Sequence, residues 1–206
     1  KLFGFLPPWG SLTGLRPVKR AGYYLSKGCD REYVLDLFSK AYNVSEEKAN
    51  LALEVAKTEL KIIEKAGDNT FSLYVSIPFC PSRCSYCSFV SHSIDSQKAK
   101  DLVPDYVDKL CEEIKFTAEK VKENKLKLTS VYWGGGTPTT LEADDLDRIL
   151  TEIENCFDLS SCIEYTVEAG RPDTVSEEKL RVLKKHNVGR ISINPQTFSD
   201  SVLKEI

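Results

Sequence analysis

The chain has 206 residues, 41% of them hydrophobic, and its 28 basic and 31 acidic side chains give a net charge of -3. This size and composition fit one sizeable core, or one domain with a smaller appendage. The basic residues form no dense block that would bind a phosphate backbone, so nucleic acid is not expected as a partner. No run approaches the roughly 20 apolar residues of a membrane span, and we expect a cytoplasmic protein.

The first 67 residues are predicted to be a helical N-terminal segment. Periodic patterns predict three helices, over residues 17–26, 31–41 and 46–65. In the third helix, four apolar side chains are predicted to share one face: Leu51, Val55, Ile62 and Ile63. Ser45 is expected to cap the start of this helix and Gly67 to end it.

Residues 68–206 are predicted to alternate short strands with helices. The strands are expected over 71–77, 128–133, 163–168 and 190–194, and the helices over 100–122, 142–154 and 176–186. This alternation favours an α/β fold with a parallel sheet. Two Thr–Glu pairs with capping-box spacing, Thr139 with Glu142 and Thr174 with Glu177, are expected to start two of the helices. Functional side chains are expected at the carboxyl ends of the strands.

Three of the seven cysteines crowd into a short segment directly after the first strand. Cys80, Cys84 and Cys87 have the spacing C-x3-C-x2-C, and an odd cysteine count with such clustering favours metal ligation over a disulfide framework. Structural zinc normally takes four ligands, and no partner motif follows. A 4Fe-4S cube held by three thiolates keeps one iron open. The spacing alone also allows buried or zinc-bound cysteines.

Polar or ligand-accessible residues follow each of the other predicted strands. The segment after the second strand is Gly134, Gly135, Gly136, Thr137 and Pro138. Without Cβ atoms, such a run lets a ligand approach the backbone, although a tight strand-to-helix turn would use the same residues. The third strand ends at Glu168, and Gln196 follows the fourth.

The cysteine triplet resembles the signature of the radical S-adenosylmethionine superfamily. The order of these motifs over residues 71–206 resembles the oxygen-independent coproporphyrinogen III oxidase family, and residues 8–19 with the segments V-E-A-G-R-P-D-T and S-I-N-P-Q-T resemble its HemZ-type branch. The resemblance implies a partial TIM-type (β/α) barrel, truncated after about four strands and preceded by the helical segment. The lysine start and the helix-like residues 200–206 also suggest an N-terminal fragment.

The resemblance also implies cofactors and a reaction. A 4Fe-4S cluster would be held by Cys80, Cys84 and Cys87, and S-adenosylmethionine would be bound by a second set of residues: Tyr74, Gly134, Gly135, Gly136, Thr137, Glu168 and Gln196. In the family's reaction, the cluster passes one electron to the bound sulfonium, which releases a 5'-deoxyadenosyl radical. The radical takes hydrogen from a propionate of coproporphyrinogen III, which becomes a vinyl group in haem biosynthesis. The implied partners are a porphyrinogen and an electron donor.

Two positions depart from the family pattern. Ser76 stands where histidine is usual, and Phe89 stands where well-studied members have an additional cysteine. Relatives with phenylalanine there hand haem to other proteins, so a haem-binding chaperone is the first alternative, beside a radical enzyme with another substrate. A zinc-bearing structural module is more remote. Arg171 could grip a substrate carboxylate or be a solvated turn residue.

The remaining candidates are not assigned to the site. Four cysteines lack metal spacing and are expected to be structural: Cys29, Cys111, Cys156 and Cys162. His92 could face the site, whereas His186 at a helix end is explained by a contact with the helix dipole.

Overall fold

A computed structural model describes residues 4–89 and 91–205. Contacts divide the chain into two compact units, with the division between Asp68 and Asn69. The first unit is helical and the second combines strands and helices. No helix among the described residues is long and apolar enough to cross a membrane.

Three helices build the first unit: α1 (Pro17–Ser26), α2 (Arg31–Lys40) and α3 (Glu46–Ala66). The predicted start and end of α3 are confirmed. The Ser45 hydroxyl accepts a hydrogen bond from the Lys48 amide, and Gly67 follows the last turn with a φ of 73°. An oxygen cap of this kind satisfies one of the amides that a helix start leaves unpaired.

The predicted apolar face of α3 does not form the core of the helical unit. Leu51, Val55, Ile62 and Ile63 are all exposed. The buried residues of α3 are Ala49, Ala52, Leu53 and Ala56. Small side chains allow close packing of α1 against α3, and a Cβ added to Gly22 of α1 would lie 3.9 Å from the Cβ of Ala56. Close helix contact therefore selects the alanine face over the face with larger side chains.

The second unit contains six strands and five helices among its described residues. The strands are β1 (Thr70–Ile77), β2 (Phe79–Cys80), β3 (His92–Ser93), β4 (Lys127–Gly135), β5 (Glu164–Glu168) and β6 (Arg190–Ser192). The helices are α4 (Gln97–Lys100), α5 (Leu102–Glu123), α6 (Ala143–Cys156), α7 (Glu177–Lys185) and α8 (Asp200–Leu203). Strands β1, β4, β5 and β6 form one parallel sheet in that order. The predicted α/β class and parallel sheet are thus confirmed.

The sheet has an apolar face and a polar face. Alternate strand residues pack into the core with helices α5, α6 and α7: Val75, Ile77, Val131, Trp133, Tyr165 and Val167. The intervening positions carry polar groups: Ser72, Tyr74, Ser76, Ser130, Tyr132 and Glu168. Parallel sheets usually have both faces covered by apolar packing. A polar second face is what the inner side of a partial barrel requires if it is to hold a polar ligand.

Several local predictions are wrong. The helix expected over 100–122 is divided at Asp101, so that α4 ends before α5 begins. Neither capping box forms: Glu142 precedes α6 without a side-chain cap, and Ser176 caps α7 by accepting from the Lys179 amide. The two threonines lie in 3-10 turns instead.

A buried histidine joins α7 to α6. His186, only 3% exposed, places Nε2 at 2.8 Å from Oδ1 of Asp147 and Nδ1 at 2.9 Å from Oε2 of Glu154. The contact of Nε2 with Asp147 has the geometry of a hydrogen bond. The contact of Nδ1 with Glu154 is within ion-pair distance but lacks that geometry. Lys185 also binds Asp147, at 2.6 Å. These contacts with carboxylates, rather than the helix dipole alone, explain why a histidine is buried at the end of α7.

The Asp147 cluster predicts a pH-dependent contribution to stability. Hydrogen bonds from Lys185 and His186 lower the pKa of Asp147. Because the folded pKa lies below the unfolded value of about 3.9, the stabilisation is present above that value and is lost as the pH falls through the folded pKa. We expect the stability difference between wild type and Asp147→Asn, measured by urea unfolding, to shrink as the pH falls from about 5 towards 2. Asp95→Asn, an exposed control, should differ little from wild type at any pH, and a constant deficit for Asp147→Asn would contradict the prediction.

Candidate functional site

Two segments meet at the site: the glycine run, residues 134–136, and the cysteine loop, residues 80–88. Gly136, the last residue of the glycine run, lies against the chain that enters the cysteine loop. Its amide donates to the carbonyl of Ile77 at 2.7 Å, and the next amide, of Thr137, donates to the carbonyl of Phe79 at 2.8 Å. A Cβ on Gly136 would lie 2.6 Å from the Phe79 oxygen and 2.9 Å from Sγ of Cys80. These distances leave no room for a side chain, so glycine is required for this approach.

Cys80 is the last residue of β2, Cys84 and Cys87 lie in the turns that follow it, and all three are half-buried free thiols. Sγ of Cys80 lies 3.5 Å from Oγ1 of Thr137, and the amide of Cys87 donates to the carbonyl of Cys84 at 3.1 Å. Within residues 4–89 and 91–205, no three Cys, His, Asp or Glu side chains are arranged as a formed metal site. The structure therefore places the three cysteines in one short segment, but their sulfur atoms do not point to a common centre.

Two stacked tyrosines and a glutamate surround the first glycine of the run. The rings of Tyr74 and Tyr132 are parallel, with centroids 6.0 Å apart. Tyr132 donates its hydroxyl to Oε1 of Glu168 at 2.5 Å. This bond is the main cause that raises the pKa of Tyr132 to about 12, so the hydroxyl keeps its proton. A Cβ on Gly134 would lie 2.8 Å from the Tyr74 hydroxyl and 3.3 Å from Oε2 of Glu168.

Gln196 reaches the cysteine loop through Tyr86, which lies between the second and third cysteines. The Tyr86 hydroxyl donates to the amide oxygen of Gln196 at 2.6 Å, and the amide nitrogen of Gln196 donates to the carbonyl of Gly170 at 3.1 Å. Gln196 has a φ of 63°, in the left-handed region that non-glycine residues seldom adopt. Both ends of its amide are therefore engaged by the protein.

Arg171, on the loop after β5, also contacts the cysteine loop. Its Nε and Nη2 bind the two carboxylate oxygens of Asp173 at 3.0 and 2.8 Å. Its Nη1 lies 3.2 Å from Oγ of Ser82 and 3.7 Å from Sγ of Cys84. The guanidinium is thus already paired within the chain, which weakens the prediction that it grips a substrate carboxylate.

The remaining candidates make none of these side-chain contacts, although the His92 amide donates to the carbonyl of Pro78 at 2.7 Å. His92 is on β3, with its ring centroid 6.2 Å from that of Phe79. Cys29 packs against the helical core, and the other unassigned cysteines belong to the core of the second unit or pack against it: Cys111, Cys156 and Cys162. Burial is the main cause that raises the pKa of Cys156 to about 11, so its thiol stays protonated and unreactive.

Four residues near the site were not predicted: Ser82, Tyr86, Tyr132 and Asp173. For Tyr132 the sequence held a signal, because it lies two residues before Gly134 and so on the same face of the strand. The structure then pairs it in register with Tyr74. Asp173 stands two residues after Arg171 and could have been paired with it. The contacts of Ser82 and Tyr86 join loops from different strands, and no sequence pattern indicates them.

A family model described as the Radical SAM superfamily matches residues 74–206. The chain belongs to the radical SAM superfamily. Its cofactors are therefore a 4Fe-4S cluster and S-adenosylmethionine, as the sequence predicted.

Relatives with a similar sequence extend the comparison. The chain is 39% identical over 207 aligned residues to the oxygen-independent coproporphyrinogen-III oxidase-like protein HemZ of Bacillus subtilis, covering 98% of this chain and 41% of that protein. It is also 39% identical to the heme chaperone HemW of the same organism, over 66% of this chain and 34% of that protein. The chain thus spans less than half the length of these relatives.

A solved structure shows the same fold. It is that of coproporphyrinogen III oxidase (HemN) from Escherichia coli, a radical SAM enzyme, with a TM-score of 0.56 and 26% identity over 72% of this chain and 33% of that one. The likeness supports the partial barrel that the motif order implied.

The residues of this radical SAM chain fit its cofactors in chemistry. Thiolates are the usual ligands of iron–sulfur clusters, and a set of three leaves one iron without a protein ligand. Because no Cβ fits at Gly134, Gly135 or Gly136, the backbone of this run carries no side chains that would block a ligand. A carboxylate at Glu168, beside Gly134, can accept hydrogen bonds from an ammonium group.

Gly136→Ala tests the close approach of the glycine run to the cysteine loop. The added methyl group would displace the Phe79 carbonyl and Cys80, so we expect reconstituted protein to bind much less iron while keeping its far-ultraviolet circular dichroism. Gly22→Ala is the matched control, because its methyl group meets only Ala56, at 3.9 Å. That variant should bind iron normally and gain about 0.5–1 kcal/mol in unfolding free energy. Full iron binding by Gly136→Ala would contradict the crowding argument.

Proposed function

We propose that Cys80, Cys84 and Cys87 ligate the cluster of this radical SAM protein. The observation that carries the proposal is the junction of the cysteine loop with the glycine run, where Cys80 contacts Thr137 and faces Gly136. Donors from neighbouring parallel strands meet at one edge of the sheet, as in other α/β sites. When bound, the cluster and S-adenosylmethionine supply reductive cleavage of a sulfonium and a carbon radical that can remove hydrogen from a substrate.

The nucleotide would be bound by the loops after β1, β4, β5 and β6. The residues proposed for it are Tyr74, Gly134, Gly135, Gly136, Thr137, Glu168 and Gln196. Tyr132 holds Oε1 of Glu168, which leaves Oε2 beside Gly134 to accept a hydrogen bond from the methionine ammonium group. Gln196 could bind the nucleotide only by giving up the Tyr86 or the Gly170 contact.

For the whole protein, we propose a tetrapyrrole substrate and oxidative decarboxylation of its propionates to vinyl groups, as in coproporphyrinogen III oxidation. The support is the agreement between relatives, because HemZ and HemN are named for coproporphyrinogen oxidation and HemW for heme. Residues 68–206 would contribute the cofactor half of the barrel, with 1–67 as a separate helical segment. Such chemistry also needs an electron donor, and free thiols at all seven cysteines suit a reducing cytoplasm.

A haem chaperone is the second candidate. It is favoured by the 39% identity to HemW and by Phe89, which replaces the additional cysteine of well-studied oxidases. Phe89 is 64% exposed directly after the cysteine loop. An apolar ring at that position cannot act as a ligand.

The cysteine assignment predicts unequal effects of five alanine substitutions. Cys80→Ala, Cys84→Ala and Cys87→Ala should each abolish cluster binding after anaerobic reconstitution, because each removes one of three anchors. Cys111→Ala and Cys156→Ala should retain iron and sulfide near wild-type content, since these thiols lie in or against the core. Glu168→Gln should keep iron but weaken S-adenosylmethionine binding. Equal iron loss in all five cysteine variants, or a metal content of zinc alone, would refute the assignment.

The substrate assignment predicts a product that mass spectrometry can detect. Full-length protein given S-adenosylmethionine, a reductant and coproporphyrinogen III under anaerobic conditions should yield a vinyl product, and its Cys84→Ala variant should yield none. Stoichiometric haem binding without any decarboxylation would instead establish the chaperone function.

A further inference from the structure

Arg171 is held in one orientation by a bidentate ion pair. Its Nε and Nη2 face the two oxygens of Asp173, and its side chain is only 23% exposed. Two parallel bonds fix the plane of a guanidinium, which a single bond or a lysine cannot do. A guanidinium stays protonated in proteins, so the positive charge of Arg171 is permanent.

The orientation directs the free edge of the guanidinium into the cysteine loop. Nη1 carries two N–H groups, and it lies within reach of two acceptors, Oγ of Ser82 and Sγ of Cys84. Cys84 is 87 residues away in sequence. Arg171 thus ties the loop after β5 to the middle of the cysteine triplet, next to a proposed iron ligand.

We propose that Arg171 is a positioning residue for the cluster, which it serves by fixing the Ser82–Cys84 segment and by placing a positive charge and an N–H donor at the Cys84 sulfur. The proposal rests on the proposed function, because it takes Cys84 as a ligand. Hydrogen bonds to ligand sulfurs and nearby charge set the reduction potentials of iron–sulfur clusters. A cation stabilises the reduced, more negative cluster, so Arg171 should raise the potential.

The chain offers a matched control for the arginine. Arg181 also binds a carboxylate through Nε and Nη2, that of Glu177, but it is 76% exposed on α7 and has no described contact with the cysteine loop. Arg181→Gln therefore removes the same charge and an arginine–carboxylate ion pair at another place. Arg171→Lys keeps the charge without the planar fork, and Asp173→Asn keeps the guanidinium but weakens its anchor.

The first measurement uses metal-free protein and needs no cofactor. Hydrogen exchange followed by mass spectrometry should show faster exchange of residues 81–88 in Arg171→Gln than in wild type, and unchanged exchange there in Arg181→Gln. Asp173→Asn should give an intermediate rate. If the loop exchanges at the wild-type rate in Arg171→Gln, the positioning role is wrong, whatever the cluster does.

The second measurement uses the reconstituted 206-residue chain. Arg171→Gln should lose iron to a chelator about 10-fold faster or more, as expected for loss of a ligand's supporting contact. In redox titrations followed by electron paramagnetic resonance, its midpoint potential should be more negative than that of wild type, while Arg171→Lys should lie between them. An unchanged potential and iron loss rate would overturn the proposal. If instead wild type fails to bind a cluster, the proposed function fails, and the exchange experiment still decides whether Arg171 orders the loop.

Discussion

The close contact between the glycine run and the chain entering the cysteine loop is the constraint on which the site depends. Two backbone hydrogen bonds, from Gly136 to Ile77 and from Thr137 to Phe79, extend the pairing of β1 with β4 beyond the end of the sheet. This extension fixes where the cysteine loop begins. A side chain at Gly136 would separate the two segments, and Cys80 would then lose its place beside Thr137.

The two faces of the sheet have different roles: one packs in the hydrophobic core, and the other carries residues of the candidate site. Val75 and Trp133 are buried with the helices, while Tyr74 and Tyr132, one residue earlier on the same strands, stack on the opposite face. Since side chains alternate along a strand, the register that buries the core also places Tyr132 beside Glu168. A shift of one residue in the β1–β4 register would expose the core and remove the site together.

The sequence predicted the regular elements because period and spacing carry that information. It also predicted which loops hold polar groups, since these follow from strand ends. The sequence placed large apolar residues on one face of α3 but did not indicate that the alanine face is the buried one, because that choice depends on the close packing of α1 at Gly22 against Ala56. The capping box at α7 failed because Ser176, closer to the helix, caps it in place of Thr174, and the one at α6 failed because Glu142 stands at the cap position while Thr139 lies in a 3-10 turn. Contacts between loops, such as Arg171 with Cys84, depend on tertiary structure and leave no periodic trace.

The cysteine loop is tied at two points to loops from two different strands. Arg171 holds its first half from the loop after β5, and Gln196 holds Tyr86 in its second half from the loop after β6. Gln196 also bonds to Gly170, directly before Arg171, so the two ties share one stretch of backbone. A nucleotide that displaced Tyr86 from Gln196 would release the second half of the loop while the Arg171 contact still held the first. Nucleotide binding and the position of the cysteine loop around Tyr86 would then be coupled through the Gln196 amide.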